Sequence, residues 1–390
     1  MSQYYPIPQP TIATNILVRR ERRLPVPGEV LMRAGQRVEP SETVAQSKLA
    51  PEPVSVYIAA DLDIAPQVGT KRLRVTTGQA VDVGTVLAEK GGMGSRMSRS
   101  PVAGTFAGYD PATGIGLINM PSEPVTVQAH LKGIVTDLIP YYGAVIETPA
   151  TLIRGIFGVG GEQHGVLKVL VAGNDEPVTR DVIDAKVTYA IALGGSDVTA
   201  DALHKMIGLG ARGIITGSIR STELAHFLGY SRQDAWRLGV SANLGNGWDF
   251  PPPNAGASPV PPDFVLIITE GFGPVPMSAR TFETLAAYDG QEIAIDGTTR
   301  LRGGLSRPEI IIPLARTTSV RWLEESGPKL EVGTQVRLLS PSYLGQTAQV
   351  TSLPQGPRPA QSGVVTGVAD VQMAGGQKLR VPIVDLEVLE

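Results

Sequence analysis

The sequence predicts a multidomain α/β protein with β-rich ends, and three observations lead there. A short phrase recurs near the start. Residues 35–45 read Gly-Gln-Arg-Val-Glu-Pro-Ser-Glu-Thr-Val-Ala and residues 78–88 read Gly-Gln-Ala-Val-Asp-Val-Gly-Thr-Val-Leu-Ala. Between about 187 and 295, buried-type apolar runs alternate with segments of helical period. From about 328 the pattern is β-only again. The 45 Gly and 32 Pro among 390 residues favour short strands and many turns over long helices. A chain of this length can hold about two to four cores. The expected division is an extended arm over 1–26, a β-rich region over 27–175, an α/β domain over 176–318 with a Pro/Gly-rich insertion at 241–262, and a β-barrel over 328–390.

In the arm, Arg19, Arg20, Arg22 and Arg23 concentrate positive charge around Glu21. Such a run serves either as a docking patch for an acidic partner or phosphate surface, or as a strand edge kept from aggregating by charge. The second is the expectation. In the β-rich region each copy of the phrase is a Gly-Gln turn, an inward Val, a second turn and an apolar pair that opens the next strand. The second copy runs to a glycine-rich tip, Gly91-Gly92-Met93-Gly94-Ser95, and returns through Ser100-Pro101-Val102-Ala103-Gly104-Thr105-Phe106. A related turn-and-strand phrase follows at Leu131-Lys132-Gly133-Ile134-Val135.

Positions 71–108 resemble the biotinyl/lipoyl-type barrel-sandwich hybrid, including the version found in Rnf-type electron-transport complexes. That resemblance implies an attachment lysine at the hairpin tip. Here the tip offers Met93, Ser95, Arg96 and Met97, and Lys90 precedes the glycines, so a noncovalent structural or docking role is expected. In the same Rnf-type family a flavin-binding loop, G-x-G-G-A-x-F-P, comes next. Gly158, Gly160 and Gly161 match its spacing, but Glu162 stands at the small position and no Phe-Pro follows. Glycine turns of this kind serve close backbone packing. His164, within the turn, is the histidine singled out for mutation.

The α/β alternation predicts strands at 187–193, 213–215, 264–268 and 292–295. Helices are expected over 197–209, capped by Ser196 or Asp197, through Leu224, Phe227 and Leu228 up to Gly229, and over 281–288. Together they predict a small parallel, Rossmann-like sheet. The C-terminal segment 330–350 is similar to the KOW motif of SH3-like barrels, whose members contact RNA or protein. Its Arg337, Arg358, Lys378 and Arg380 are offset by Asp370, Asp385, Glu387 and Glu390, which favours protein.

Chemistry would sit at the carboxyl ends of the parallel strands, where open α/β sheets bind ligands. The candidate phosphate- or nucleotide-binding residues are Gly194, Gly195, Ser196, Thr216, Gly217, Ser218, Arg220, Glu270 and Gly271. Glycines admit an anion to backbone N–H groups, Arg220 would neutralise a phosphate, and Glu270 would hold a ribose hydroxyl or act as a base. Gly, Ser and Thr are equally what strand-to-helix turns and caps require. No Walker A loop or full G-x-G-x-x-G is present, and no catalytic residue is assigned. The absence of cysteine excludes disulfides, thiol nucleophiles and cysteine-held clusters, and the four histidines lack metal-ligand spacing. A net charge of −3 with 18% charged residues gives no basis for nucleic-acid binding by bulk charge.

No membrane span or secretory leader is expected, which makes the cytoplasm the default. The expected function is a non-enzymatic scaffold or assembly subunit without a cofactor, binding protein partners and its own copies. Two alternatives stand beside it. One is an enzyme or accessory electron-transfer subunit that binds a nucleotide or flavin noncovalently in the crevice. The other is an RNA-associated KOW protein.

Overall fold

The computed structural model describes residues 11–92, 95–228, 263–299, 306–314 and 329–389. Strand makes up 46% and helix 15%, a strand-rich chain with a large mixed sheet. Its largest element is a twelve-stranded mixed sheet. Four of its strands form a parallel run, Glu162–Val169, Ala190–Leu193, Gly213–Ile219 and Val265–Phe272, and the two-residue strand Asp197–Val198 also pairs in parallel with the third. The last three of the four are buried along nearly their whole length, as central strands of a covered parallel sheet are, whereas Glu162–Val169 is polar and part-exposed at its start.

The expected small parallel sheet is therefore only the middle of a larger one. Glu292–Asp296, read as a fourth parallel strand, runs antiparallel to Glu162–Val169 and leads through Glu309–Pro313 to Gly143–Arg154. Hydrogen bonding passes unbroken through the expected boundary at 175/176. Gly143–Arg154 is the joint. One edge pairs along its length with Ile12–Arg23, and the other pairs with Gly133–Ile139 and then with Glu309–Pro313.

Residues 12–23, expected as part of an extended arm, are thus an edge strand of the sheet. Their charged run is mostly paired: Arg19 faces Asp137 and Glu147, Arg20 faces Glu309, and Arg22 is buried against Glu162. Residues 1–10, the insertion at 241–262 and Gly229 lie outside the described residues.

Helix ends shift for local reasons. The helix expected from 197 is Ala200–Gly208, because Asp197 and Val198 are still extended and pair with Ser218 and Ile219. Thr199 then caps it by accepting the Ala202 N–H. Residues 187–189 turn through a 3₁₀ step, and the strand starts at Ala190. The third helix is Ala279–Ala286, capped by Ser278.

The repeated phrase is a repeated structure. Gly35 and Gly78 have φ of 81° and 87°, which an L side chain adopts only with strain. Gly35 N donates to Val135 O at 2.7 Å and Gly78 N to Phe106 O at 2.8 Å; Val135 N returns to Gln36 O and Phe106 N to Gln79 O. The Gln36 and Gln79 side chains each accept the N–H three residues back, from Arg33 and Thr76. Val30 pairs with Ala45 as Leu73 bridges to Ala88. Strand Thr43–Leu49 pairs with Glu123–Gln128 as Val86–Lys90 pairs with Arg96–Arg99. The second module is inserted whole into the tip of the first module's hairpin, between Leu49 and Glu123. Its own core gathers Val56, Ile58, Leu62, Leu87, Phe106 and Ile118.

The C-terminal segment forms a five-stranded antiparallel sheet from Gln335–Leu338, Thr347–Ser352, Val368–Met373, Lys378–Pro382 and Leu386–Val388, with its own apolar core. No helix among the described residues is long and apolar enough to cross a membrane.

Candidate functional site

The parallel strands have two ends, and the structure treats them differently. At the carboxyl ends the nine predicted residues are brought together, and the chain itself engages them. Backbone atoms of 173–178 and 275–277 press on the glycines. A Cβ on Gly195 would lie 2.3 Å from Gly173 O, and one on Gly217 2.6 Å from Met277 N. Ser196 N donates to Glu176 O and Thr216 Oγ1 to Ser196 O. Ser218 Oγ accepts the Val275 N–H, and Arg220 pairs with Asp197 at 3.0 Å. Gly194 packs against Val178.

The C-terminal sheet closes what remains. Gly271, at φ 139°, meets Gly345, at φ 83°, so closely that a Cβ on either would lie 3.0–3.2 Å from the other's Cα. Glu270, 5% exposed, pairs with Arg337 and accepts the Ser278 N–H at 2.9 Å. Arg337 also reaches Glu387 at 2.8 Å, and Arg307 reaches Glu387 at 2.5 Å while donating to Gly155 O. Thr11 Oγ1 donates to Glu387 at 2.7 Å. Burial alone would raise the carboxyl pKa of Glu387, but Arg307 and Arg337 hold it below the ordinary value. A buried ionic cluster of this kind positions its elements in one geometry more than it stabilises them.

At the amino ends the sheet is open. A cleft of about 990 Å³ forms between Arg22, His130, the strand start Glu162–His164, Tyr189, Arg212 and Phe264, with the end of the 200–208 helix as one wall. It lies where the first module and the 12–23 edge strand meet the α/β part of the sheet. Arg22 is fixed by its Nε–H to Ala129 O at 2.6 Å and by a two-pronged bond to Glu162 at 2.5 and 2.7 Å. Arg212 donates to His164 O at 2.5 Å and lies 6.0 Å over the Tyr189 ring.

The His130 and His164 rings are 5.8 Å apart, and the Nδ1 atom of each is buried without a hydrogen-bond partner. His130 and Tyr189 hold left-handed backbone, at φ 50° and 58°, which costs non-glycine residues about 1–2 kcal/mol. Burial, with Arg212 and His130 beside it, lowers the His164 pKa to about 4. Burial also lowers that of His130, against the pull of Glu162. Strained backbone, unpartnered buried nitrogens and shifted titrations in one cavity are the physical marks of a functional site.

His164 was singled out beforehand, and Arg22 and Arg23 only as part of a charged run. His130 is 34 residues distant in sequence and reaches the cleft through the strand pairing of the first module, while Arg212 and Tyr189 sit in short turns without a motif. Gly158 and Gly160, matched to a cofactor loop, pack instead against Gly297 O and Phe264 O. Lys90 donates to Asp63 O at 3.1 Å beside the second module's tip. His204 and His226 face each other across the 200–208 and 221–227 helices. Among the described residues no group of three His, Asp or Glu is placed to hold a metal ion. No protein-family model matches the chain, and no curated protein matches it.

Proposed function

We propose that this chain is a non-enzymatic scaffold or assembly subunit that contacts protein partners and copies of itself. In this reading the N-terminal modules are barrel-sandwich hybrids, the middle is Rossmann-like and the C-terminal sheet is an SH3-like barrel. One observation carries the proposal. The crevice where an α/β enzyme would hold a nucleotide or flavin is closed by the chain's own backbone at 173–178 and 275–277 and, at Glu270 and Gly271, by Arg337 and Gly345. The sheet is used there to clasp a second unit.

A contrast between the two modules supports protein contact. Pro40 in the first module is buried against the rest of the chain, whereas Val83, its counterpart in the second, is 70% exposed. Tyr57, Val68, Met97 and Leu117 of the second module are exposed as well. In this proposal these exposed apolar side chains supply the contact surface. Protein is preferred to RNA because Arg337 is buried in an ion pair and Arg380 is held by Asp370.

Light scattering on the purified full chain tests the proposal, alone and after replacement of Val83 and Met97 by Asp. A mass above one chain that falls on substitution is expected. A monomer carrying a nucleotide or flavin that turns over would defeat the reading.

A further inference from the structure

The floor of the amino-end cleft carries unequal charge. Arg22 and Glu162 neutralise each other through two hydrogen bonds, and both histidines are uncharged at neutral pH. Arg212 remains. Among the described residues it forms no ion pair, and its one side-chain hydrogen bond goes to the His164 carbonyl. Glu21, Arg23 and Asp263 also line the cleft, but at its exposed rim, where water screens them. A metal cation would meet the Arg212 guanidinium directly, so the floor disfavours it. An anion would find a guanidinium with unused N–H groups and two neutral imidazoles.

Shape and lining narrow the class. At about 990 Å³ the cleft is at the large end for small-molecule sites and exceeds what a bare ion fills. Ile207, Phe264 and the Tyr189 ring add apolar wall beside the polar floor. Each imidazole has a ring nitrogen, Nδ1, without a partner, and both side chains line the cleft.

We propose that this cleft binds a small organic oxyanion, a carboxylate or phosphate ester with an apolar or ring portion. Arg212 holds the charged group, and His164 and His130 act as uncharged hydrogen-bond partners. Binding needs no covalent or redox step, and it is independent of whether the chain assembles.

The test uses the full chain with ¹⁵N-labelled histidine, which gives only four imidazoles to follow. Phenyl phosphate, benzoate and, as a cation of similar shape, phenyltrimethylammonium are titrated at pH 7 and constant ionic strength. At least one anion is expected to shift the His164 and His130 ring nitrogens saturably, leaving His204 and His226 unmoved. The tighter anion identifies phosphate or carboxylate as the group. Arg212→Gln should weaken that anion at least tenfold, with unchanged His204 and His226 signals reporting an intact fold. Failure of both anions to saturate by tens of millimolar, a response to the cation alone, or unaltered affinity in Arg212→Gln each overturns the proposal. The wild-type titration decides the matter even if the variant does not fold.

Discussion

Replacing Arg337 by Met tests whether the buried ionic cluster locks the C-terminal sheet into the crevice. The substitution keeps an unbranched apolar stem and removes the charge that bridges Glu270 and Glu387. Removing one partner of a buried pair typically costs about 3–5 kcal/mol, because the charge left behind is uncompensated. Here Glu387 keeps Arg307 and Thr11, and Glu270 keeps the Ser278 N–H, which places the expected loss near the lower bound, about 3 kcal/mol. A chain with several cores need not unfold in two states, so the readout should be local. Hydrogen exchange of the 335–338 and 386–388 amides is expected to accelerate about a hundredfold, with 213–219 little changed. Adding Glu270→Gln to Arg337→Met removes the stranded charge and should recover at least a third of the loss. Acceleration below fivefold, or a double variant no better than the single one, would show that the cluster does not hold the sheet in place.

Four further outcomes follow from named contacts. The depressed His164 pKa means that the unfolded chain binds a proton the folded one refuses between about pH 6.5 and 4. Stability contributed by this site is therefore complete above that window and falls as pH drops through it, by on the order of 2 kcal/mol after screening. Urea midpoints at pH 7 and 4.5 should show a larger acid loss in wild type than in His164→Gln. Gly35→Ala and Gly78→Ala should cost similar amounts, about 1–2 kcal/mol each, since both turns need positive φ and neither Cβ meets an atom; proteolysis of the two hairpins compares them. Gly271→Ala should loosen the C-terminal sheet more than either, because its Cβ would strike the Gly345 backbone, and exchange at 335–338 reads this out. Ser278→Ala, which removes the cap of the 279–286 helix, should cost about 1 kcal/mol by exchange in that helix.

Elements read from local pattern were legible in the sequence. The strands at 213 and 265 and the helices beginning at 200, 221 and 279 announce themselves through apolar period and caps, and their ends moved by a few residues where tertiary pairing decided. The duplicated module was visible because its turns need Gly at positive φ and a Gln that bonds back to the backbone. The nesting was not, since the second half of the first module is separated from its beginning by the entire second module. Sheet direction at 292–296 was equally hidden: a buried apolar strand reads the same whichever way its neighbour runs. The predicted crevice lay where topology puts it, but nothing local revealed that Arg337 and Gly345, remote in sequence, would meet Glu270 and Gly271 there. The cleft at the opposite end draws between one and four residues from each of seven segments, with no shared motif to carry it.

A native mass spectrum of the full chain purified from its own cells distinguishes a scaffold from a coenzyme-binding enzyme in one step, because it reports bound small molecules and companion chains together. Assemblies of this chain, or of this chain with protein partners, are expected, with no flavin or nucleotide whose retention depends on Glu270 or Arg220. A flavin or nucleotide retained at one per chain, and lost on substitution of Glu270 or Arg220, would contradict the scaffold reading.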